Sequence, residues 1–271
     1  MELNKYPIEL LMRTTGYDVS KYDDSFLLST LQKRIFETNS KSMENYFVFL
    51  EQNSLERAEL IESLRISYSE FFRNSLTFAV LERIIVPSIV MKRDKTKHKD
   101  VRIWSVACAG GQEAYSLAIL LEEISNGDKA QGYRIFATDQ SETQIHDAVN
   151  GQFPSASLNN VSLKRLKERF TKHNDMYAIK PELKENMAFS VFDLFSEKMT
   201  CPPESIYGDF DLIFCANLLF YYKDDYRKSI LHKMRNSLAV GGYLITGEVE
   251  RDILLRYKYR EVYPYSAIFQ V

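Results

Sequence analysis

The chain has little of what marks a stapled, metal-bound or membrane-spanning protein. Among 271 residues there are three cysteines and four histidines. Cys108, Cys201 and Cys215 form neither an even disulfide framework nor a pair with metal-ligand spacing, and His98, His146, His173 and His232 are scattered, so no metal is expected. An excess of one charge is missing too. The 35 Lys/Arg against 37 Asp/Glu leave a formal −2, which argues against a general nucleic-acid binder. Long apolar runs are scarce: the stretch 212–222 is too short or too interrupted to cross a bilayer, and residues 1–11 lack a signal-peptide apolar core. A cytoplasmic location without direct membrane insertion is therefore expected, and no repeat or low-complexity tract stands out.

What is present reads as a folded protein, with 45% hydrophobic, 13% aromatic and 27% charged residues. The length suits a major domain with a smaller companion. From 23 to 89 apolar residues recur at intervals of three and four: Leu28, Leu31 and Ile35, then Tyr46, Phe47 and Leu50, then Leu60 and Leu64. Breaks at Asn39-Ser40 and Gln52-Asn53-Ser54 divide this into three short helices, followed by another over about 75–91. Residues 91–100 are rich in charge and poor in apolar side chains, and the basic run 83–102 reads as a solvated linker.

Beyond it the period changes. Strands are expected at 101–107 and 133–138 and helices at 113–125 and 142–150, the alternation of a parallel sheet. Further strands fall at 210–215, 243–247 and near 263–270, with a helix at 224–238, while 157–187 is irregular and suits a short helix and a small hairpin. The expected domains are a helical one at 1–74, a connecting helix and linker at 75–100, and a Rossmann-like domain at 101–271 with a small β subdomain at 172–191.

In the segment 101–118 a buried strand turns through small residues into an amphipathic helix. Ala107, Cys108, Ala109, Gly110 and Gly111 let backbone approach a nucleoside or amino-acid moiety closely, and the free N–H groups of the helix start face the ligand. The spacing is not the dinucleotide fingerprint and lacks the Lys-Ser/Thr of a phosphate loop, so NAD and ATP are disfavoured. Asp139, 28 residues beyond Gly111 at the end of the second strand, suits both ribose hydroxyls, and Glu113 in the first helical turn suits an ammonium group.

At this point the chain resembles the CheR family of chemotaxis-receptor glutamate methyltransferases. The stretch from Ile103 to Ser116 resembles the strand-loop-helix motif that ends Gly-Glu-Glu-Pro-Tyr-Ser; Ala137-Thr-Asp139 with Asp147-Ala148, Gly151 and Phe153 is similar to the ribose-binding strand and following helix. The stretch from Phe210 to Tyr222 resembles Phe-Asp-x-Ile-Phe-Cys-Arg-Asn-x-x-x-Tyr-Phe, and Ser67-Tyr-Ser-Glu-Phe-Phe-Arg73 is similar to a segment that ordinary methyltransferases lack. Lys33-Arg34 matches a basic pair in the family's helical domain.

The resemblance implies an α/β fold, a Rossmann-like S-adenosylmethionine-dependent methyltransferase sheet with a small N-terminal all-α domain and a small β insertion. It implies S-adenosylmethionine as cofactor and S-adenosylhomocysteine as product. It carries over Ser67, Ser69, Arg73, Ala107, Glu113, Asp139, Asp193, Leu194 and Asn217 as cofactor contacts, with Arg73 and Tyr221 at the reacting centre and Phe71 and Phe72 at the domain junction. The partner it implies is the cytoplasmic helical domain of a chemoreceptor or related signalling protein, met by a monomer. Departures are Gly111-Gln112 for Gly-Glu, Ala114 for proline and Ala216 for a frequent arginine; residues 1–70 also carry eight Lys/Arg against twelve Asp/Glu, where the family's substrate-facing helices tend to be basic. The alternative these leave is a catalytically weak or inactive cofactor-binding regulator of the same fold.

Overall fold

The computed structural model describes residues 5–65, 68–93, 100–124 and 132–271. Four helices come first: α1 (Lys5–Thr15), α2 (Asp24–Glu37), α3 (Met43–Gln52) and α4 (Ser54–Ser63). Helix α1 precedes the three that periodicity marks. Side chains cap the others: Asp23 accepts from the Ser25 N–H, Ser42 from Asn45, and Asn53 from Leu55 and Glu56. These helices, together with residues 218–229, form one compact unit. Leu27, Leu31, Tyr46, Leu50 and Leu60 are among its buried apolar residues. At its centre Arg34 donates through Nε (2.9 Å) and Nη2 (2.6 Å) to the two carboxylate oxygens of Glu56, which also accepts from the Tyr46 hydroxyl at 2.7 Å. Arg34 of the basic pair is therefore a structural tie.

The second unit begins at the described residue Tyr68 and contains the sheet. Residues 68–74, expected within the helical domain, group here because Phe71 and Phe72 are buried in this unit's core: Phe71 meets Phe153 and Phe170 edge-on, and Phe72 meets Phe78. These two rings are core residues of the sheet-bearing unit. Helices α5 (Ser75–Val80) and α6 (Val86–Arg93) are joined by a π-helical turn, Leu81–Ile85. Pro87 has no N–H to offer the Arg83 carbonyl, and Val86 N–H bonds Leu81 across the wider turn.

The chain continues through β1 (Val101–Val106), α7 (Gln112–Ile124), β2 (Tyr133–Asp139), α8 (Glu142–Asn150), β3 (Gln152–Pro154), α9 (Leu163–Arg169), β4 (Phe170–His173), β5 (Met176–Ile179) and β6 (Met187–Val191). It ends with β7 (Phe210–Phe214), α10 (Asp224–Ser237), β8 (Leu238–Ile245), α11 (Arg251–Arg256), β9 (Arg260–Glu261) and β10 (Ile268–Gln270). The large sheet has the order β6-β2-β1-β7-β8-β10-β9; its first five strands are parallel and the last two join antiparallel. Strand β1 is central, so Ile103 and Trp104 are buried on opposite faces, as a strand covered on both sides requires. The indole N–H of Trp104 is satisfied by Thr138 Oγ1 at 2.9 Å.

Three expectations change. The β insertion is the antiparallel sheet β3-β5-β4 within residues 152–179, not 172–191; β6 pairs in parallel with β2 from Ile135 to Asp139 and is an edge of the large sheet. The strand expected near 263–270 is only β10, because Tyr265 and Ala267 take left-handed φ values of 63° and 55° just before it. The basic run is not simply a solvated linker. Residues 91–93 complete α6, and Arg93, 8% exposed, donates to both oxygens of the buried Asp211 at 2.8 and 2.9 Å. Arg102 lies over the Phe136 and Phe210 rings. Residues 94–99 lie outside the described residues.

Candidate active site

Ligand crevices of parallel sheets open at the carboxyl ends of the strands. Here that end is built by the turn after β1. Ala107, Ala109 and Gly111 alternate at φ 52°, 46° and 89°, coiling the backbone tightly into α7. Gly111 has a steric reason as well: a Cβ there would stand 3.0 Å from the Ala148 Cβ and 3.2 Å from the Tyr115 ring. Asp139 ties the turn to β2. Its Oδ2 accepts the Ala109 N–H and its Oδ1 the Ser141 N–H, both at 2.9 Å.

One pocket draws together much of what the sequence marked. Ser69, Arg73, Ala107, Glu113 and Asn217 line it, joined by Tyr68, Asn74, Ala216, Thr246 and the 247–249 turn. Arg73 is exposed, its guanidinium over the Tyr68 ring at 5.1 Å. Glu113 is half-buried: desolvation pushes its carboxyl well above the ordinary carboxylate range, the Ser105 hydroxyl that donates to it at 2.9 Å pulls the other way, nearby Glu250 adds to the rise and Arg73 opposes it. An acid so desolvated is poised for a cationic ligand group. Two further polar atoms of pocket-lining residues, Asn74 Nδ2 and Thr246 Oγ1, are buried without a hydrogen-bond partner among the described residues, as expected of groups that a ligand satisfies.

The other marked residues lie elsewhere. Asp139 is 5% exposed and does not line this pocket, but its bond to Ala109 places it at the same turn. Asp193 and Leu194 follow β6; Asp193 Oδ1 accepts the Phe195 N–H at 2.9 Å, a turn-forming bond that occupies one oxygen. Tyr221, in a 3-10 turn (Leu219–Tyr221), belongs to the helical unit, where its ring packs edge-on against Phe26 at 4.7 Å and its carbonyl accepts the Asp23 N–H. Ser67 lies outside the described residues. Sequence reasoning missed Asn74 and Thr246, which flank matched segments without belonging to them; Glu250 closes Gly247-Glu-Val-Glu250, which resembles the family's Gly-His-Ser-Glu in part, but that likeness assigned it no role.

The pattern that defines the CheR methyltransferase SAM binding domain matches residues 67–258, and that of the CheR methyltransferase all-alpha domain matches residues 8–64. The chain belongs to the CheR methyltransferase family. Its relatives include a chemotaxis protein methyltransferase of Borreliella burgdorferi, 27% identical over 90% of this chain and 86% of that one. One of Listeria innocua is 28% identical over 91% and 88%, and Cher2 of Pseudomonas putida is 29% identical over 72% and 69%. The CheR-family chain is thus an S-adenosylmethionine-dependent methyltransferase with a Rossmann-like sheet and an all-α N-terminal domain. Nothing in the relatives or the site favours the inactive alternative.

The pocket fits S-adenosylmethionine. Glu113 suits the ammonium group, Asn74 and Thr246 offer polar atoms without a partner among the described residues, and the coiled turn at 107–111 stands beside the Asp139 carboxylate where a ribose would lie.

Proposed function

We propose that this CheR-family enzyme forms glutamyl methyl esters on the cytoplasmic helical domain of a chemoreceptor or a related signalling protein, acting in the cytoplasm as a monomer. The observation that carries this reading is the polarity of one pocket: an exposed cation, Arg73, lines the same pocket as the partly buried acid Glu113. A cation in contact with solvent suits an acceptor carboxylate; a partly buried acid suits the ammonium of the methyl donor.

A glutamate carboxylate is already ionised near neutral pH, so the reaction needs alignment more than a general base. S-adenosylmethionine supplies a methyl group activated by sulfonium charge. Arg73 orients the acceptor so that one carboxylate oxygen forms the new bond to the methyl carbon while the carbon–sulfur bond breaks and its electron pair stays on sulfur. Asp139 holds the ribose, Asp193 and Leu194 flank the adenine, and Ser67, Ser69, Ala107 and Asn217 complete the cofactor contacts. Tyr221 holds the acceptor at the reacting centre through its hydroxyl. These roles rest on the family resemblance together with the pocket's chemistry.

The test is incubation of the full chain with labelled S-adenosylmethionine and chemoreceptor cytoplasmic domains, scoring base-labile methyl esters. Label that appears on receptor glutamates and falls at least tenfold with Arg73→Ala is the expected result. Bound cofactor with no ester on any receptor would overturn the proposal.

A further inference from the structure

We propose that Glu250 is a positioning residue for the methyl-donor pocket, a buried clamp that sets the two loops leaving β7 and β8. The last ladder bond between those strands is the Cys215 N–H to the Ile245 carbonyl at 2.9 Å. The residues just beyond it, Ala216 and Asn217 on one side and Thr246 and Gly247 on the other, line the pocket. Past the end of a ladder, backbone N–H groups need another acceptor or solvent. Both go to one atom: Glu250 Oε2 accepts the Asn217 N–H at 2.7 Å and the Gly247 N–H at 2.9 Å.

The bond to Gly247, three residues earlier in the chain, is an ordinary helix-start cap. The bond to Asn217 is not. It spans 33 residues and joins a different strand end. Asn217 stands there at φ 60°, a left-handed conformation that asparagine tolerates better than most residues, and the loops are so close that a Cβ at Gly247 would stand 2.7 Å from Asn217 Nδ2. Glu250 itself has no exposed surface and does not line the pocket. It acts by fixing pocket walls, and its carboxylate, stronger as an acceptor than a neutral group, suits two converging donors.

The inference rests on the pocket being the methyl-donor site, and titration calorimetry of S-adenosylhomocysteine into the full chain tests both. Absence of binding to the unsubstituted protein would overturn the pocket assignment and the clamp together. With binding established, Glu250→Ala is expected to raise Kd at least tenfold, whereas Glu250→Gln, whose amide oxygen still accepts both N–H groups, stays within threefold. Wild-type affinity in Glu250→Ala, even with a lowered Tm, would make the residue merely structural and overturn the clamp. Glu250→Gln as weak as Glu250→Ala would overturn it too. If Glu250→Ala does not fold, Glu250→Asp, shorter by one methylene, is expected to bind at least fivefold more weakly with an unchanged circular dichroism spectrum; wild-type affinity there would overturn the proposal.

Discussion

Glu113 draws its chemistry from where it is buried. The folded protein keeps its proton above the ordinary carboxylate value of 4.5, chiefly because burial penalises the charged form. The folded state then holds more protons than the unfolded chain across the window from that value up to the raised one, so stability without ligand falls as pH rises through it. Urea unfolding at a series of pH values rising from the ordinary carboxylate value should show this slope, and Glu113→Gln should flatten it. Affinity for S-adenosylhomocysteine should rise over the same window, because only the carboxylate attracts an ammonium; Glu113→Gln should cost about 1.5–3 kcal/mol of binding, measured by calorimetry. Asp139→Ala should act twice. Removing the acceptor of the Ala109 and Ser141 N–H groups leaves buried donors unpaired, for about 1–3 kcal/mol of stability, and cofactor binding should weaken by more than about 1 kcal/mol. Unchanged affinity with lowered stability would confine Asp139 to shaping the turn.

Between elements, the turn from β1 to α7 and the join of α6 to the sheet are the vulnerable points. Gly111→Ala meets both a left-handed φ and a 3.0 Å approach to α8, so a loss of about 2 kcal/mol or more in chemical denaturation is expected, with weaker cofactor binding. Arg93→Met strands Asp211, which is 5% exposed and whose other bond comes from the Arg102 N–H. Breaking a buried pair from one side costs about 3–5 kcal/mol, to be read in the unfolding midpoint. Replacing a surface lysine such as Lys228, paired with exposed Asp224 and Asp225, should have no measurable effect by the same assay. Element type was legible wherever local pattern decides it: β1, β2, α7 and α8 lie within a residue of expectation at each end. Strand partnership was not. The sequence of β6 does not say whether it joins β5 next to it in the chain or β2 some 50 residues earlier, because both choices bury a similar apolar strand.

For the whole molecule, cofactor binding should appear as stabilisation. S-adenosylhomocysteine at about 100 times its Kd adds roughly 2.7 kcal/mol to the folded state, and at about 2–4 °C per kcal/mol the transition of the sheet-bearing unit should rise by roughly 5–10 °C in calorimetry. The rise should shrink sharply in Asp139→Ala. The sequence by itself determined the class of the molecule: helical periodicity before residue 90, alternating strands and helices after it, the small-residue turn at 107–111, and Asp139 at a strand end. Those features live in contiguous stretches, where spacing alone says which face a side chain takes. Only tertiary structure decided that residues 68–74 belong to the sheet-bearing unit and residues 218–229 to the helical one. It alone paired Arg93 with Asp211 and brought Glu250 onto Asn217. Those contacts join residues 33 to 118 positions apart, and no local pattern records them because the need to pair arises only once folding takes charge and backbone polar groups out of water, where leaving them unpaired is costly.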